Sequence, residues 1–305
     1  MVAKSSLIST RRLCIEILKI PKVELLSIIA DADSYYSPYT QKKIKDGKLK
    51  TRSIEPSIDY LKRVQKRINK TVLAPVVGAL PTEIMGGRKD FSVKKNAMYH
   101  AESKAMMKYD IKSFFPSVTY RHVYDVYRYR LNFCEEAANI LAKLTTYPSG
   151  LDSHVPQGAP TSTNLAILAI EKTCMCIKKI VDSHNLKFSI WVDDITISGD
   201  YKDLLKARPS INRALAQSPF IIHPDKDSGI IKKGGRDGFS VTGIEIDHSK
   251  RLTLGRKHLA YMKKKARFSS KISKRTVGKL LFLRQINPSQ GARLYHDYIS
   301  RLGRK

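Results

Sequence analysis

Residues Phe188 to Gly199, FSIWVDDITISG, leave the chain little local choice. Phe188-Ser189-Ile190-Trp191-Val192 is apolar and β-prone, and Ile195-Thr196-Ile197-Ser198-Gly199 is β-prone again. Two such runs so close together form a tight antiparallel hairpin. Its crest carries two adjacent carboxylates, Asp193 and Asp194. Asp is a common turn residue, but the best two-residue turns use Asn-Gly or Asp-Gly, because both central residues need positive φ. Asp-Asp is a poor choice on those grounds. Two like charges about 4 Å apart also repel by roughly 4 kcal/mol at an effective dielectric near 20. A hard divalent cation removes that cost, and magnesium often uses one or two carboxylates plus substrate phosphates. The stretch therefore predicts a metal site at a hairpin tip, completed by at least one acid from elsewhere.

Composition narrows the partner. Lysine and arginine number 56 against 27 acids, a net charge of +29 spread along all 305 residues. A folded protein with a polyanion partner, nucleic acid above all, fits that imbalance. Charge alone does not separate RNA from DNA. No run of about 18 apolar residues predicts a membrane span, and the N-terminus lacks the apolar segment of a signal peptide. Cys14, Cys134, Cys174 and Cys176 show no metal-ligand spacing. Reduced thiols and a cytoplasmic location are expected.

Residues 8–20 and 22–30 read as two short helices, with Pro21 suited to the first turn of the second. A basic hairpin follows, with Asp46-Gly47 as its turn. SIDYLKRVQKRINKTVL reads as a helix capped by Ser57, with Leu61, Val64, Ile68 and Val72 on one face. Lys62, Arg63, Lys66, Arg67 and Lys70 cover much of the remainder, a face for solvent or for nucleic acid. A strand is expected at 106–111, and helices at 120–128, 134–146, about 161–183 and 201–216. Short strands fall within 219–247, and the last fifty-odd residues are helical and basic. Strands and helices mix without regular βαβ alternation, which predicts an α+β protein.

MKYDIKSFFPSV, Met107 to Val118, supplies the third acid. Alone, Asp110 reads as a strand-end Asp before a turn. With Asp193 and Asp194 it gains a sharper meaning. Two metals bridged by a few aspartates can activate a 3′-hydroxyl and stabilise leaving pyrophosphate in an in-line displacement.

YDIKSFF, PQGAPTS and WVDD stand in the order and spacing of reverse transcriptase motifs, and the resemblance covers nearly the whole chain. NAMYH, Asn96 to His100, and VTG, Val241 to Gly243, resemble the two signatures of bacterial retron reverse transcriptases. One departure is Trp191, where these enzymes usually carry Tyr. Trp keeps an aromatic surface near the primer end but replaces a hydroxyl with an indole N–H; a core role for it is equally open.

The resemblance implies a right-hand polymerase. Residues 1–249 would form interleaved fingers and palm, and 250–305 a small helical thumb binding RNA or duplex. It implies Asp110, Asp193 and Asp194 as ligands of two Mg2+ ions, with the Ile111 carbonyl as a further ligand. Phe115 stands where the family places an aromatic gate against the ribose 2′-hydroxyl; a core Phe is the alternative, which suits Phe114 better. Gln157 and Gly158 match the Gln-Gly turn, and glycine permits close backbone approach. Arg52 matches the fingers arginine that holds the incoming triphosphate, with Lys50 or Lys48 assisting. Lys226, in HPDKD, is a general acid for pyrophosphate or an ordinary surface lysine. Asn96 and His100 are structural or RNA-contacting.

Function follows as expectation. A retron enzyme would bind its own noncoding RNA, start from a guanosine 2′-hydroxyl, consume dNTPs and copy part of that RNA into a branched RNA–DNA product. It would work beside a separate effector protein in antiphage defence, away from membranes. The alternatives are another bacterial reverse transcriptase, of group II intron, diversity-generating or phage-defence type, and an RNA-binding scaffold with a degenerate polymerase fold. The short chain, without a maturase or endonuclease segment, argues against a complete intron protein. The intact aspartate set and Gln-Gly turn argue against the scaffold.

Overall fold

The computed structural model describes residues 7–45, 48–149, 153–224, 229–234, 239–268 and 273–302. The chain interleaves two compact units. One comprises Met1–Lys89, Ile111–Cys176 and Leu215–Ile222, the other Asp90–Asp110, Ile177–Ala214 and His223–Lys305.

The first unit is mainly helical. Lys22–Ala30 and Asp59–Ile68 both pack on Glu135–Thr145. Leu25, Leu61, Val64, Ile68, Leu141 and Leu144 are buried in this unit. Lys62, Arg63 and Lys66 stay exposed and Arg67 is half-buried, as the apolar spacing requires. Ser57 does not cap this helix. Ile58 is the N-cap, and the Ser57 hydroxyl instead donates to Gln65 Oε1 at 2.6 Å. Gln65 is fully buried, so its amide needs partners. Its Nε2 donates to the Leu144 carbonyl at 2.9 Å and the Tyr36 hydroxyl at 3.2 Å.

Local geometry moves other expectations slightly. The first helical segment splits into Thr10–Arg12 and a π-helical Leu13–Leu18. Pro21 is the N-cap of the next helix, one position before its first turn. The basic hairpin pairs β1, Tyr39–Lys45, with β2, Lys48–Ile54. Its expected Asp46-Gly47 turn lies outside the described residues.

The second unit holds both remaining sheets. β3, Ala105–Asp110, lies between β5, Asp194–Gly199, and the short β6, Ile231–Lys232; β4, Lys187–Trp191, forms the opposite edge. β7, Ser240–Val241, β8, Ile244–Ile246, and β9, Leu252–Leu254, make an antiparallel three-stranded sheet. β9 shows that the helical C-terminal part begins at Arg256, because residues 252–254 complete this sheet. Thr242 and Gly243 link β7 to β8 with φ of 47° and 80°, so the VTG signature is a tight turn with two left-handed residues.

Helices Arg256–Phe268, Lys274–Ile286 and Pro288–Leu302 follow. Met262, Leu280, Leu283 and Tyr298 join Val241, Ile244 and Ala97 in one apolar cluster. A Cβ on Gly291 would collide with the Arg284 backbone, so glycine lets the last two helices approach closely.

Candidate active site

The register of the four-stranded sheet decides which side chains meet. Asp110 ends β3 and pairs with Asp194, which opens β5; Asp194 also pairs with Trp191, the last residue of β4. Directly opposed residues share a face with Cβ atoms about 5 Å apart. The strands thus set two carboxylates side by side, a mutual repulsion that a bound cation would offset.

Asp193 reaches this end from the turn. The two central turn residues are Val192 and Asp193, not the two aspartates, because Asp194 is already paired. Val192 carries φ of 60°. A left-handed first central residue is the condition that normally selects glycine in a type II′ hairpin. A β-branched side chain there is a strained choice.

The same register separates the sheet's two faces. Asp110, Lys108 and Met106 lie opposite Asp194, Thr196 and Ser198, while Ser189 also faces Thr196. The other face presents Tyr109, Met107, Ile195 and Ile197, all buried. There the Tyr109 hydroxyl donates to Asn212 Oδ1 at 2.7 Å. Lys108 escaped the sequence reading, although it stands two residues before Asp110 and so must share its face. Burial lowers its pKa, and the charge of Asp194 partly restores it.

Backbone bonding anchors the site further. The His223 N–H donates to the Asp110 carbonyl at 2.7 Å, so the start of HPDKD lies against the end of β3. Asp225 and Lys226 lie outside the described residues.

The expected nucleotide-binding residues belong to the first unit. Arg52 is exposed on β2, which also contains Lys50. Phe114 is buried and packs edge-on against Phe220 at 5.7 Å, while Phe115 is half-buried. Ile111 is buried and bridges to Ile222. Gly158 has φ of 117°, and a Cβ there would stand 3.2 Å from Ile54 Cγ2. Glu55, another residue the sequence reading missed, ties this turn to the end of β2. Its N–H donates to the Gln157 carbonyl at 2.8 Å, and its carboxylate accepts the Gln157 N–H at 3.2 Å.

Asn96 and His100 require a correction. Both are fully buried, so neither side chain is open to a nucleic acid. They sit on the helix Val93–His100 and hydrogen-bond to Ser189 of β4; His100 also bonds to Ser198 of β5. Trp191 is half-buried at the aspartate end of the sheet.

Among the described residues, no three acidic, histidine or cysteine side chains converge into a ready-made metal cage. Oxygen donors on paired strands still fit a hard cation, because such sites commonly take their remaining ligands from substrate phosphates and water.

An α+β chain with aspartates at paired strand ends and on the adjoining turn has the organisation of a nucleotidyl-transferring polymerase. A family model described as reverse transcriptase (RNA-dependent DNA polymerase) matches residues 42–246. The chain belongs to that family and is an RNA-directed DNA polymerase; reverse transcriptase domains depend on divalent metal.

Its similarity runs to the retron-type members. It is 29% identical over 283 residues to the Retron Ec86 reverse transcriptase of Escherichia coli, covering 91% of this chain and 84% of the relative. It is 28% identical to the Retron Se72 reverse transcriptase of Salmonella heidelberg, covering 69% and 55%. For the Retron Mx65 reverse transcriptase of Myxococcus xanthus the identity is 27%, covering 76% and 58%. The chain thus spans little more than half the length of the latter two. A structure of telomerase from Candida albicans with a fragment of telomeric RNA superposes with a TM-score of 0.51 at 10% identity, covering 93% of this chain and 59% of that one. That likeness supports the α+β polymerase fold. No described helix is long and apolar enough to cross a membrane.

Proposed function

We propose that this polymerase copies part of a cognate structured noncoding RNA into single-stranded DNA, yielding a branched retron product, and that it serves antiphage defence beside a separate effector protein. The observation that carries the polymerase chemistry is the register pairing of Asp110 with Asp194 beside Asp193. The retron assignment rests on NAMYH and VTG together with the retron relatives.

Asp110 and Asp193 would hold magnesium directly, with Asp194 and the Ile111 carbonyl in support. Bound there, magnesium supplies activation of the attacking hydroxyl and neutralisation of phosphate charge. The protein contributes position. Arg52 and Lys50 meet the triphosphate, Phe115 screens the sugar, and the Gln157-Gly158 turn lets template and nucleotide approach. Lys226 can donate a proton to pyrophosphate. The exposed Lys62, Arg63 and Lys66, with Arg67, track phosphates, and Trp191 offers a ring near the primer end. The C-terminal helices act as the thumb. They present Tyr261 and Phe282, each 39% exposed, beside basic side chains suited to an RNA stem.

The experiment has two parts. Primer extension with magnesium should be abolished by Asp193→Asn while RNA binding persists; extension by the purified variant at the wild-type rate removes the aspartate assignment. Sequencing RNase-resistant DNA from the native complex should then return one defined product joined to RNA. Heterogeneous DNA without a linked RNA favours another class of reverse transcriptase.

A further inference from the structure

A buried hydrogen-bond chain joins the NAMYH helix to both strands of the aspartate hairpin. His100 Nδ1 lies 2.6 Å from Ser198 Oγ, and His100 Nε2 lies 2.8 Å from Ser189 Oγ. Ser198 Oγ is 2.8 Å from Ser103 Oγ, and Ser189 Oγ is 2.7 Å from Asn96 Oδ1. Asn96, His100, Ser189 and Ser198 are fully buried, and Ser103 is 7% exposed.

With the Asn96 amide oriented as in the structure, the direction of every bond follows. Asn96 Oδ1 can only accept, so Ser189 spends its hydroxyl proton there. Ser189 Oγ must then accept from His100, which places the ring proton on Nε2. The bare Nδ1 accepts from Ser198, and Ser198 accepts from Ser103. One tautomer of a neutral imidazole serves both serines, while Asn96 Nδ2 is buried with no hydrogen-bond partner among the described residues. Burial agrees, because it lowers the His100 pKa to about 3 and keeps the ring uncharged. His100 is therefore neither an RNA contact nor an acid–base group at working pH.

The geometry explains the signature's spacing. Asn96 and His100 are four apart and share one helix face. Ala97 between them is fully buried in the apolar cluster. Ser189 pairs with Thr196 and Ser198 with Lys187, so the two serines are diagonal neighbours on one face. The imidazole spans that diagonal and ties β4 to β5. This is the face of Asp110 and Asp194. Ser198 follows Asp194 by four residues, about 13 Å of strand, and Ser189 precedes Trp191, where the turn begins, by two, about 7 Å. Five buried polar side chains where apolar ones would pack more cheaply mark a device for geometry.

We propose that Asn96 and His100 are positioning residues. They fix the twist and height of the aspartate hairpin by clamping Ser189 and Ser198 at its base, and so set where Asp193 and Asp194 stand relative to Asp110. The inference rests on the polymerase reading and deepens it. Misplacing a catalytic constellation by about 1 Å can cost roughly 100-fold in rate.

The test uses the full chain in single-turnover extension of a generic primed RNA template. Ser198→Ala and His100→Ala should lower the maximal rate about tenfold or more. The dNTP concentration for half-maximal rate and the RNA affinity at fixed salt should stay within about twofold. His100→Gln, which again presents one donor and one acceptor, should recover much of the rate. In ring-labelled protein, nitrogen NMR should find His100 neutral, with one ring nitrogen protonated and the other bare. Should His100→Ala fail to fold, Ser198→Ala, which removes one hydroxyl, carries the rate test. Folded variants with unchanged rates overturn the proposal, as does a loss confined to RNA affinity or a ring protonated at both nitrogens. A wild-type chain without metal-dependent extension would overturn the polymerase reading itself.

Discussion

Replacing Asp110 by Asn should stabilise the metal-free protein while destroying its activity. Asp110 is buried and directly opposes Asp194 across paired strands. With Cβ atoms about 5 Å apart, two full charges at an effective dielectric near 20 repel by roughly 3 kcal/mol. Asp194 is exposed and Lys108 shares the face, so screening reduces the gain from Asp110→Asn to about 1 to 2 kcal/mol. For a chain of this size that raises the melting temperature by about 2 to 6 °C. The assay is scanning calorimetry of wild type and variant in EDTA and again with magnesium. Wild type should gain stability from the metal, because binding to the folded state alone shifts the equilibrium. The variant should start higher, gain little and show no extension. A variant that melts below wild type in EDTA, or gains as much from magnesium, would show that the opposed carboxylates are not a stored cost released by the cation.

Val192→Gly should raise the melting temperature by a few degrees and slow extension. It relieves about 1 to 3 kcal/mol of left-handed strain, offset by roughly 1 kcal/mol of unfolded-state entropy, but loosens the turn holding Asp193. A less stable variant contradicts the strain argument. Phe115→Ala should admit ribonucleotides, since the ring is proposed to occupy the space of a 2′-hydroxyl; unchanged dNTP-to-rNTP discrimination returns Phe115 to the core. His100 titrates near 6.5 when unfolded and at about 3 when folded, so the unfolded chain takes up the proton first. Stability should fall as pH drops from about 6.5 toward 3, by up to about 1.4 kcal/mol per unit, and His100→Gln should remove that slope in urea melts; an undiminished slope places the titration elsewhere. Exchanging residues 254–305 with those of a relative should transfer RNA preference in competition binding at fixed salt, while overall affinity still falls steeply with salt. Preference that stays with the original residues 1–253 would refute the thumb assignment.

The aspartate hairpin was legible because two β-prone runs so close together admit few other structures. Its crest was not, since propensity argues against a β-branched residue at positive φ and so drew attention away from Val192. The amphipathic helix after the basic hairpin was legible from Leu61, Val64 and Ile68. Gln65 was not, because a polar residue on the apolar side looks like surface until Ser57, Tyr36 and Leu144 surround it. Asn96 and His100 stood out by resemblance, yet their partners are two strand serines that carry no signal of their own. Only the register sets Ser189 and Ser198 on a common diagonal. Glu55 escaped for the same reason, because its bonds to Gln157 cross a hundred positions of chain.

The order of the strands has a consequence for the newly made chain. β4 and β5 are joined by a two-residue turn, a contact that forms in about 1 to 10 microseconds. β3 pairs with β5 across a gap running from Asp110 to Asp194, so it must close a long loop first. Asp110 therefore leaves the ribosome long before its partner exists. The carboxylate pair cannot assemble until translation has passed Asp194, so synthesis itself delays the onset of catalysis.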